Sequence, residues 1–322
     1  MPPSTVHPPP STMQLIRDFT NPAAYRGGIV SIGNFDGVHL GHRRMIEVLV
    51  RNARVANVPA VAFTFDPHPI SILRPGQVPP ALTTFDRKAE LLEACGVDCL
   101  IAYRTDRELL GLTADEFFER IIRNEMAATG LVEGANFCFG RGRAGDVECL
   151  RRLSDAAGVR LDVVPQVTRG DVVVSSSVIR SLIQTGRIGD AAELLGDWYR
   201  VRGVVSTGAA RGRTIGFPTA NLTGVETVLP PDGVYAGRAF PGGRPLAAAI
   251  NLGSNPTFGE TARKLEVHLV DFAGDLYGQS LDVEFLQHLR NTVSFASVDE
   301  LRSQLGRDIA QVRDVVAAAC GG

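Results

Sequence analysis

Two histidines stand three residues apart in a glycine-bounded segment, Gly33-Asn34-Phe35-Asp36-Gly37-Val38-His39-Leu40-Gly41-His42. It joins an apolar run at 28–33 to a helical pattern from Leu40 to about Asn57, striped by Met45, Ile46, Val48, Leu49 and Val50. A helix N-terminus offers free N–H groups and a partial positive charge, which suits phosphate. Gly37 and Gly41 let backbone and nucleotide approach without a Cβ between them. His39 and His42 can point from the first turn at one phosphate. Donors aimed at oxygens that gain charge stabilise in-line attack on the α-phosphate of a nucleoside triphosphate. Gly33, Asn34, Phe35, Asp36 and Gly41 are candidate nucleotide contacts beside the catalytic candidates His39 and His42.

Further segments suit the same chemistry. The run at 64–69, TFDPHP, follows a second strand pattern and belongs on the same rim. The loop at 134–140 carries a polar Asn136 between glycines. Val174-Ser175-Ser176-Ser177-Val178-Ile179-Arg180 ends a strand and opens a helix. Ser175, Ser176 and Ser177 with the free helix N–H groups could hold pyrophosphate, and Arg180 could reach the same charge. Taken alone, the serine run is more often just a helix N-cap, and the paired histidines reverse that balance.

A second constellation lies at 212–222, GRTIGFPTANL. It lacks the G-K-[ST] of a Walker loop, yet Gly212 and Gly216 free the backbone and Pro218 stiffens the turn. Thr219 and Asn221 alternate in an extended segment and share a face, giving hard oxygen ligands suited to Mg2+ with ATP. Downstream, Glu266 and His268 project to one side of a strand. A carboxylate there could accept the proton of an attacking hydroxyl. Each piece has a plain alternative: a glycine turn with a buried Thr and Asn, and a charge on a strand's wet face.

The elements that must position these groups fall into two textures. From 27 to about 183, apolar runs alternate with helical patterns at 40–57, 85–95 and from Thr113, with strands at 59–65 and 98–103. This predicts a parallel, doubly wound Rossmann-like sheet with ligands at the strands' carboxyl ends. Beyond a helix at 189–195, short alternating runs at 199–205, 233–237, 246–252, 264–271 and 281–285 predict an antiparallel barrel. A helix at 298–319 closes the chain with Leu301, Leu305, Ile309, Val312 and Val316 on one face. The boundary falls near 185–198, giving a tail at 1–13 and domains at 14–186 and 187–322.

The chain has 322 residues, 44% hydrophobic and 21% charged, which suits two globular cores. A formal net charge of −2 gives no support for a nucleic-acid or anionic-membrane partner. Five cysteines (Cys95, Cys99, Cys138, Cys149, Cys320) without a C-x-x-C pair suit reduced thiols. Cys95 and Cys99 could share a helix face, but no second ligand pair follows. No apolar stretch is long enough for a membrane span, and the proline-rich opening MPPSTVHPPPST is neither a secretory signal nor an ordered element by its composition. A cytoplasmic protein is expected.

In order, GNFDGVHLGH, FDPHP, NFCFG, SSSVIR, GRTIGFPTANL, GVYAG, NLGSNPTFG, and an ExH strand followed by DLYG make the chain resemble the prokaryotic bifunctional riboflavin kinase/FMN adenylyltransferases, or FAD synthetases. The resemblance spans roughly residues 13 to 318. It implies a nucleotidyltransferase domain joined to a six-stranded barrel kinase domain. It also implies riboflavin, FMN, FAD and ATP as the small molecules handled, with Mg2+ as cofactor and ATP as co-substrate. By the same resemblance His39 and His42 bind triphosphate. Asn136 and Ser175 to Ser177 contact nucleotide, and Thr219 and Asn221 hold Mg2+–ATP. Glu266 activates the ribityl 5′-hydroxyl, and Arg290 contacts flavin. Two departures stand out. Ser177 replaces a usual threonine with its hydroxyl kept, and Thr292 stands where many members have Glu, which bears on flavin affinity. Two other readings are a flavin-binding module without catalysis and an adenylyltransferase for a different phosphate-bearing substrate. The sequence does not set the oligomeric state.

Overall fold

Short apolar runs without polar alternation need burial on both faces, and four of them form strands: β2 (Ile29–Ile32), β3 (Ala60–Asp66), β4 (Cys99–Arg104) and β5 (Gly130–Gly134). In the computed structural model, which describes residues 12–207, 215–254 and 262–320, they join β1 (Gln14–Arg17) and β6 (Arg160–Val164). The result is a six-stranded parallel sheet of order β1-β4-β3-β2-β5-β6. From β2 the chain builds outward first through β3 and β4, then on the other side through β5 and β6. The β2/β5 junction is therefore the switch point, where such sheets bind ligands.

The helices of this half are α1 (Leu40–Ala56), α2 (Pro69–Leu73), α3 (Phe85–Ala94), α4 (Arg107–Gly111), α5 (Ala114–Phe117) and α6 (Val147–Ala157). Alternate strand residues face opposite ways. Val30, Ile32, Val61, Phe63, Ile101 and Leu131 pack with Phe117, Ile121, Ile122 and Leu150 from α5, the π-helical turn Phe118–Glu125 and α6. Ile29, Ala60, Ala62, Leu100 and Val132 pack with Met45, Ile46, Leu49 and Leu92, so α1 and α3 share the other face. Each fully buried large aliphatic contributes about 1.5–3 kcal/mol. Thr113 opens α5 with a capping box: its hydroxyl accepts from Glu116 N at 3.2 Å and Glu116 Oε2 accepts from Thr113 N at 2.8 Å.

Contacts divide the chain into Met1–Pro79 with Phe85–Val174, and Pro80–Thr84 with Ser175–Gly322. After the hairpin β7 (Thr168–Arg169) and β8 (Val172–Val173), the second unit opens with α7 (Ser176–Gln184) and α8 (Ile188–Leu195). Six antiparallel strands follow: β9 (Tyr199–Ser206), β10 (Ala220–Thr223), β11 (Gly233–Ala239), β12 (Leu246–Gly253), β13 (Lys264–Leu269) and β14 (Ser280–Arg290). They close into a barrel of order β10-β13-β12-β11-β14-β9. Closure demands close backbone approach at Gly237, where a Cβ would sit 2.1 Å from Glu284 O and 2.4 Å from an Ile250 methyl. Glu284, 1% exposed, is shared between Arg200 and Arg238, and Arg202 pairs with Asp282 beside it. The last helix, α9 (Val298–Cys320), lays Ile309, Val312, Val315 and Val316 on Ala236, Ala247, Ala249, Val270 and Leu289.

Both architectures match the periodicity of the sequence. The cysteine pair does not: α3 ends at Ala94 and Cys99 opens β4, so Cys95 and Cys99 share no helix face. The helix cannot run on through the turn at Gly96, whose φ of +88° is left-handed.

Candidate active sites

The β2 carboxyl end leads into α1 through a loop with Phe35 at φ +47°, Gly37 at +83° and Val38 at +39°. Phe35 and Val38 are fully buried and anchor that backbone. Their burial leaves Asn34, Asp36 and His39 at the rim. His39 is the N-cap of α1: its Nδ1 accepts from His42 N at 3.3 Å. The two imidazoles stack at 3.7 Å between centroids, and Phe35 meets His42 edge-on at 5.5 Å. Gly41 makes the stack possible, since a Cβ there would lie 3.1 Å from the His39 ring.

Burial lowers the His39 pKa to about 4, against the opposing charge of Asp36. Burial also holds His42 well below the usual histidine range, helped by His39 and the charge of Lys88. Both rings therefore rest neutral near pH 7 and act as hydrogen-bonding groups. Asn34 Oδ1 and His42 Nδ1 are buried without a hydrogen-bond partner among the described residues. Such orphaned groups fit a polar ligand.

Beneath the loop, β2 and β5 pair only at Ile29↔Gly130 and Val30↔Leu131. Glu133, 1% exposed, then takes over the ladder, its Oε1 accepting from Ile32 N at 2.7 Å. Burial raises its pKa well above the usual carboxylate range. This neutral acid holds apart the two strands whose ends carry the His39 loop and Asn136. Asn136 is exposed just beyond β5, on the same carboxyl edge. The sequence carries no mark of Glu133's role, because its partner is set by the sheet.

Ser175, Ser176, Ser177 and Arg180 fall in the second unit. Ser175 is the N-cap of α7, accepting from Val178 N at 3.4 Å. Arg180 Nε donates to Pro80 O at 2.7 Å. The structure thus brings together His39, His42, Asn34 and Asp36, and holds the serine run on another unit.

On the barrel, register builds the second candidate site. Asn221 lies opposite Glu266 across β10/β13, and Asn251 lies opposite Glu266 across β12/β13. Ser206 opposes Asn221 across β9, its hydroxyl donating to Asn221 O at 3.2 Å. Opposed residues of an antiparallel pair point the same way, with Cβ atoms about 4.5–5.5 Å apart. Ser206, Asn221, Glu266 and Asn251 thus form a half-buried row, while Val205, Leu222, Leu265 and Leu252 fill the interior. His268 Nδ1 lies 2.7 Å from Pro218 O, and its ring meets Phe217 edge-on at 5.7 Å. A carbonyl only accepts, so that nitrogen donates. This bond ties the Gly216–Thr219 turn to the Glu266 strand. Gly216 has φ +88° and Thr219 is exposed next to Asn221. Gly212 lies outside the described residues.

Ser206 escaped the sequence reading, and Asn251 entered it only as the first residue of NLGSNPTFG, without a role. Arg290 is held differently from a free ligand contact. Its Nε and Nη2 bind Asp308 of α9, at 2.7 Å for Nη2, and its Nη1 donates to Asn291 O. Asp308 is 1% exposed, so this pair pins α9 to the end of β14. Thr292 Oγ1 nearby is buried without a partner among the described residues.

The FAD synthetase family model matches residues 21–178, and the riboflavin kinase model matches residues 195–316. A bifunctional riboflavin kinase/FMN adenylyltransferase of Escherichia coli (strain K12) is 36% identical over 305 residues, covering 94% of this chain and 97% of that protein. The Bacillus subtilis (strain 168) protein of the same description is 32% identical over 287 residues, covering 87% and 90%. A crystal structure titled as a macrolide-efflux protein from Streptococcus pneumoniae matches with a TM-score of 0.83 at 32% identity, over 94% of this chain and 99% of that one. The efflux in that title is said of that protein; among the described residues here, no helix is long and apolar enough to cross a membrane. With both halves matched in order and relatives above 30% identity over nearly its whole length, the chain belongs to the bifunctional riboflavin kinase/FMN adenylyltransferase family.

Proposed function

We propose that this chain phosphorylates riboflavin on its barrel and adenylylates the resulting FMN at the His39 loop, with domains at 14–186 and 187–322. The observation that carries the reading is the oxygen row of Asn221, Glu266 and Asn251, which the register assembles on the barrel beside the Thr219 turn. In the first reaction the ribityl 5′-hydroxyl attacks the γ-phosphorus of ATP, its proton passes to Glu266, and ADP leaves. Hydroxyl, amide and carboxylate oxygens form a hard donor set that fits Mg2+, with Thr219 and Asn221 to hold it. Bound there, the ion would neutralise phosphate charge.

In the second reaction a phosphate oxygen of FMN attacks the α-phosphorus of a second ATP. The bond to the bridging β-oxygen breaks, and pyrophosphate departs with the electron pair. No base is needed, because the nucleophile is already anionic. His39, His42 and the α1 N-terminus donate hydrogen bonds to the reacting phosphates, with Gly33, Asn34, Phe35, Asp36, Gly41 and Asn136 shaping the pocket. Ser175, Ser176, Ser177 and Arg180 are assigned to the pyrophosphate. On the barrel, Gly212, Gly216 and Pro218 are assigned to ATP, and Arg290 to the flavin end. A cytoplasmic location without nucleic-acid or membrane partners accompanies this reading.

Glu266→Gln is expected to abolish FMN formation while sparing FAD formation from supplied FMN, and His39→Ala with His42→Ala to do the reverse. Chromatography of products from riboflavin, FMN and Mg–ATP reads both. Kinase activity in the Glu266 variant, or normal FAD synthesis in the double variant, refutes the corresponding site.

A further inference from the structure

Of the 33 basic Lys and Arg residues, only Lys88 and Lys264 are lysines. Arginine is this chain's ordinary cation, and Lys88 instead offers a compact, strongly hydrated ammonium on a flexible stem. Lys88 sits in the first turn of α3. In a doubly wound sheet, the helix that follows a strand begins at the carboxyl edge. α1 and α3 lie on the same sheet face, after the neighbouring strands β2 and β3. Their first turns therefore stand side by side, with His42 on one and Lys88 on the other.

The surroundings of Lys88 are those of a ligand group. Its side chain is half-buried, and its Nζ lies 5.9 Å from the Phe85 ring centroid. It forms no hydrogen bond or ion pair among the described residues, although an ammonium drawn out of water ordinarily has one. Burial pulls its pKa down, while the charges of Asp36, in the His39 loop, and Asp66, at the end of β3, pull it up. His42 Nδ1, on the neighbouring first turn, is buried without a partner among the described residues too. With both imidazoles neutral at rest, His39 and His42 bring only dipoles to a polyanion and Asp36 brings a negative charge, so the cation must come from elsewhere. Arg43 is engaged through Nε with Val38 O at 3.1 Å. We infer that Lys88 is a substrate-contacting residue of the adenylyl-transfer site, its ammonium binding the triphosphate of ATP beside His42 as charge moves onto the departing pyrophosphate. This rests on the adenylyltransferase reading above.

The test compares wild type with Lys88→Ala and Lys88→Arg in the full chain, measuring FAD formation from supplied FMN and riboflavin phosphorylation in the same preparations. Removing a preorganised charged donor from a phosphoryl centre costs about 10²–10³-fold. Lys88→Ala is expected to lose about 10²-fold in kcat/KM for ATP in FAD formation, with the KM for FMN and riboflavin phosphorylation within about twofold of wild type. Lys88→Arg is expected to recover part of that loss. A second readout needs no turnover: reductive methylation of the chain, followed by peptide mass spectrometry. Methylation of Lys88 is expected to slow several-fold with α,β-methylene-ATP present, and the N-terminal amine serves as reference. FAD formation within about threefold of wild type in Lys88→Ala, a defect confined to the KM for FMN, or unprotected methylation overturns the inference. If wild type itself forms no FAD from FMN and ATP, the function proposed for this site falls instead.

Discussion

His39 makes a quantitative prediction, because its burial outweighs the opposing charge of Asp36. The ring is 6% exposed, and its Nδ1 is occupied as acceptor for His42 N. Burial lowers its pKa from 6.5 to about 4. A depressed folded-state pKa gives stability that is present above the unfolded value and lost as pH falls through the folded one. Below pH 6.5 the unfolded chain takes up a proton that the folded loop refuses until about pH 4. At about 1.4 kcal/mol per pH unit, the loss across that window is about 3 kcal/mol. His39→Asn removes the titration and keeps a good capping oxygen. Hydrogen exchange read by mass spectrometry on α1 peptides, corrected for intrinsic rates, gives the opening free energy of this unit at each pH. The wild type is expected to lose about 3 kcal/mol more than His39→Asn between about pH 7 and pH 4, with His42 titrating in both chains. Parallel pH profiles for the two proteins would refute the buried neutral imidazole, and with it the claim that the loop meets phosphate with uncharged donors.

Two further expectations concern the scaffolds. Glu133 is an acid whose pKa is raised from 4.5, so its contribution is full below that value and lost as pH rises through the folded one. Glu133→Gln keeps an acceptor for Ile32 N, and its stability relative to wild type should grow from about pH 4.5 towards neutrality in urea titrations; a constant difference refutes the assignment. Glu284→Ala leaves Arg200 and Arg238 without their shared carboxylate and should cost the barrel about 3–5 kcal/mol. Fluorescence of the single Trp198 during urea unfolding reads this, and a loss below about 1 kcal/mol would refute it.

Local patterns carried most of the architecture. The period of the apolar residues separates a parallel sheet buried on both faces from a barrel buried on one, and both appear where the period changes. The His39 loop was legible for a related reason: strand, glycine turn, N-cap and helix are consecutive, so one stretch of chain fixes its own geometry. The helix start at Thr113 was readable too, and the structure adds the reciprocal bond from Glu116 that makes it a capping box. Short edge elements such as β1 were not, because four residues hold too little pattern to stand above their surroundings.

The sequence by itself determined which chemistry is present: the imidazoles, the Thr219–Asn221 pair and Glu266 all stand in order along the chain. Tertiary structure decided what each one faces. Asn251 joins Glu266 only through the β12/β13 register, and Arg290 meets Asp308 only because α9 returns to β14. The charge of Lys88 acts on His42 only because α1 and α3 cover one sheet face, and Glu133 becomes a neutral strut only where β5 leaves β2. These are interactions between residues far apart in sequence. Spacing along the chain does not encode them, whereas strand register and the packing of helices on a sheet do.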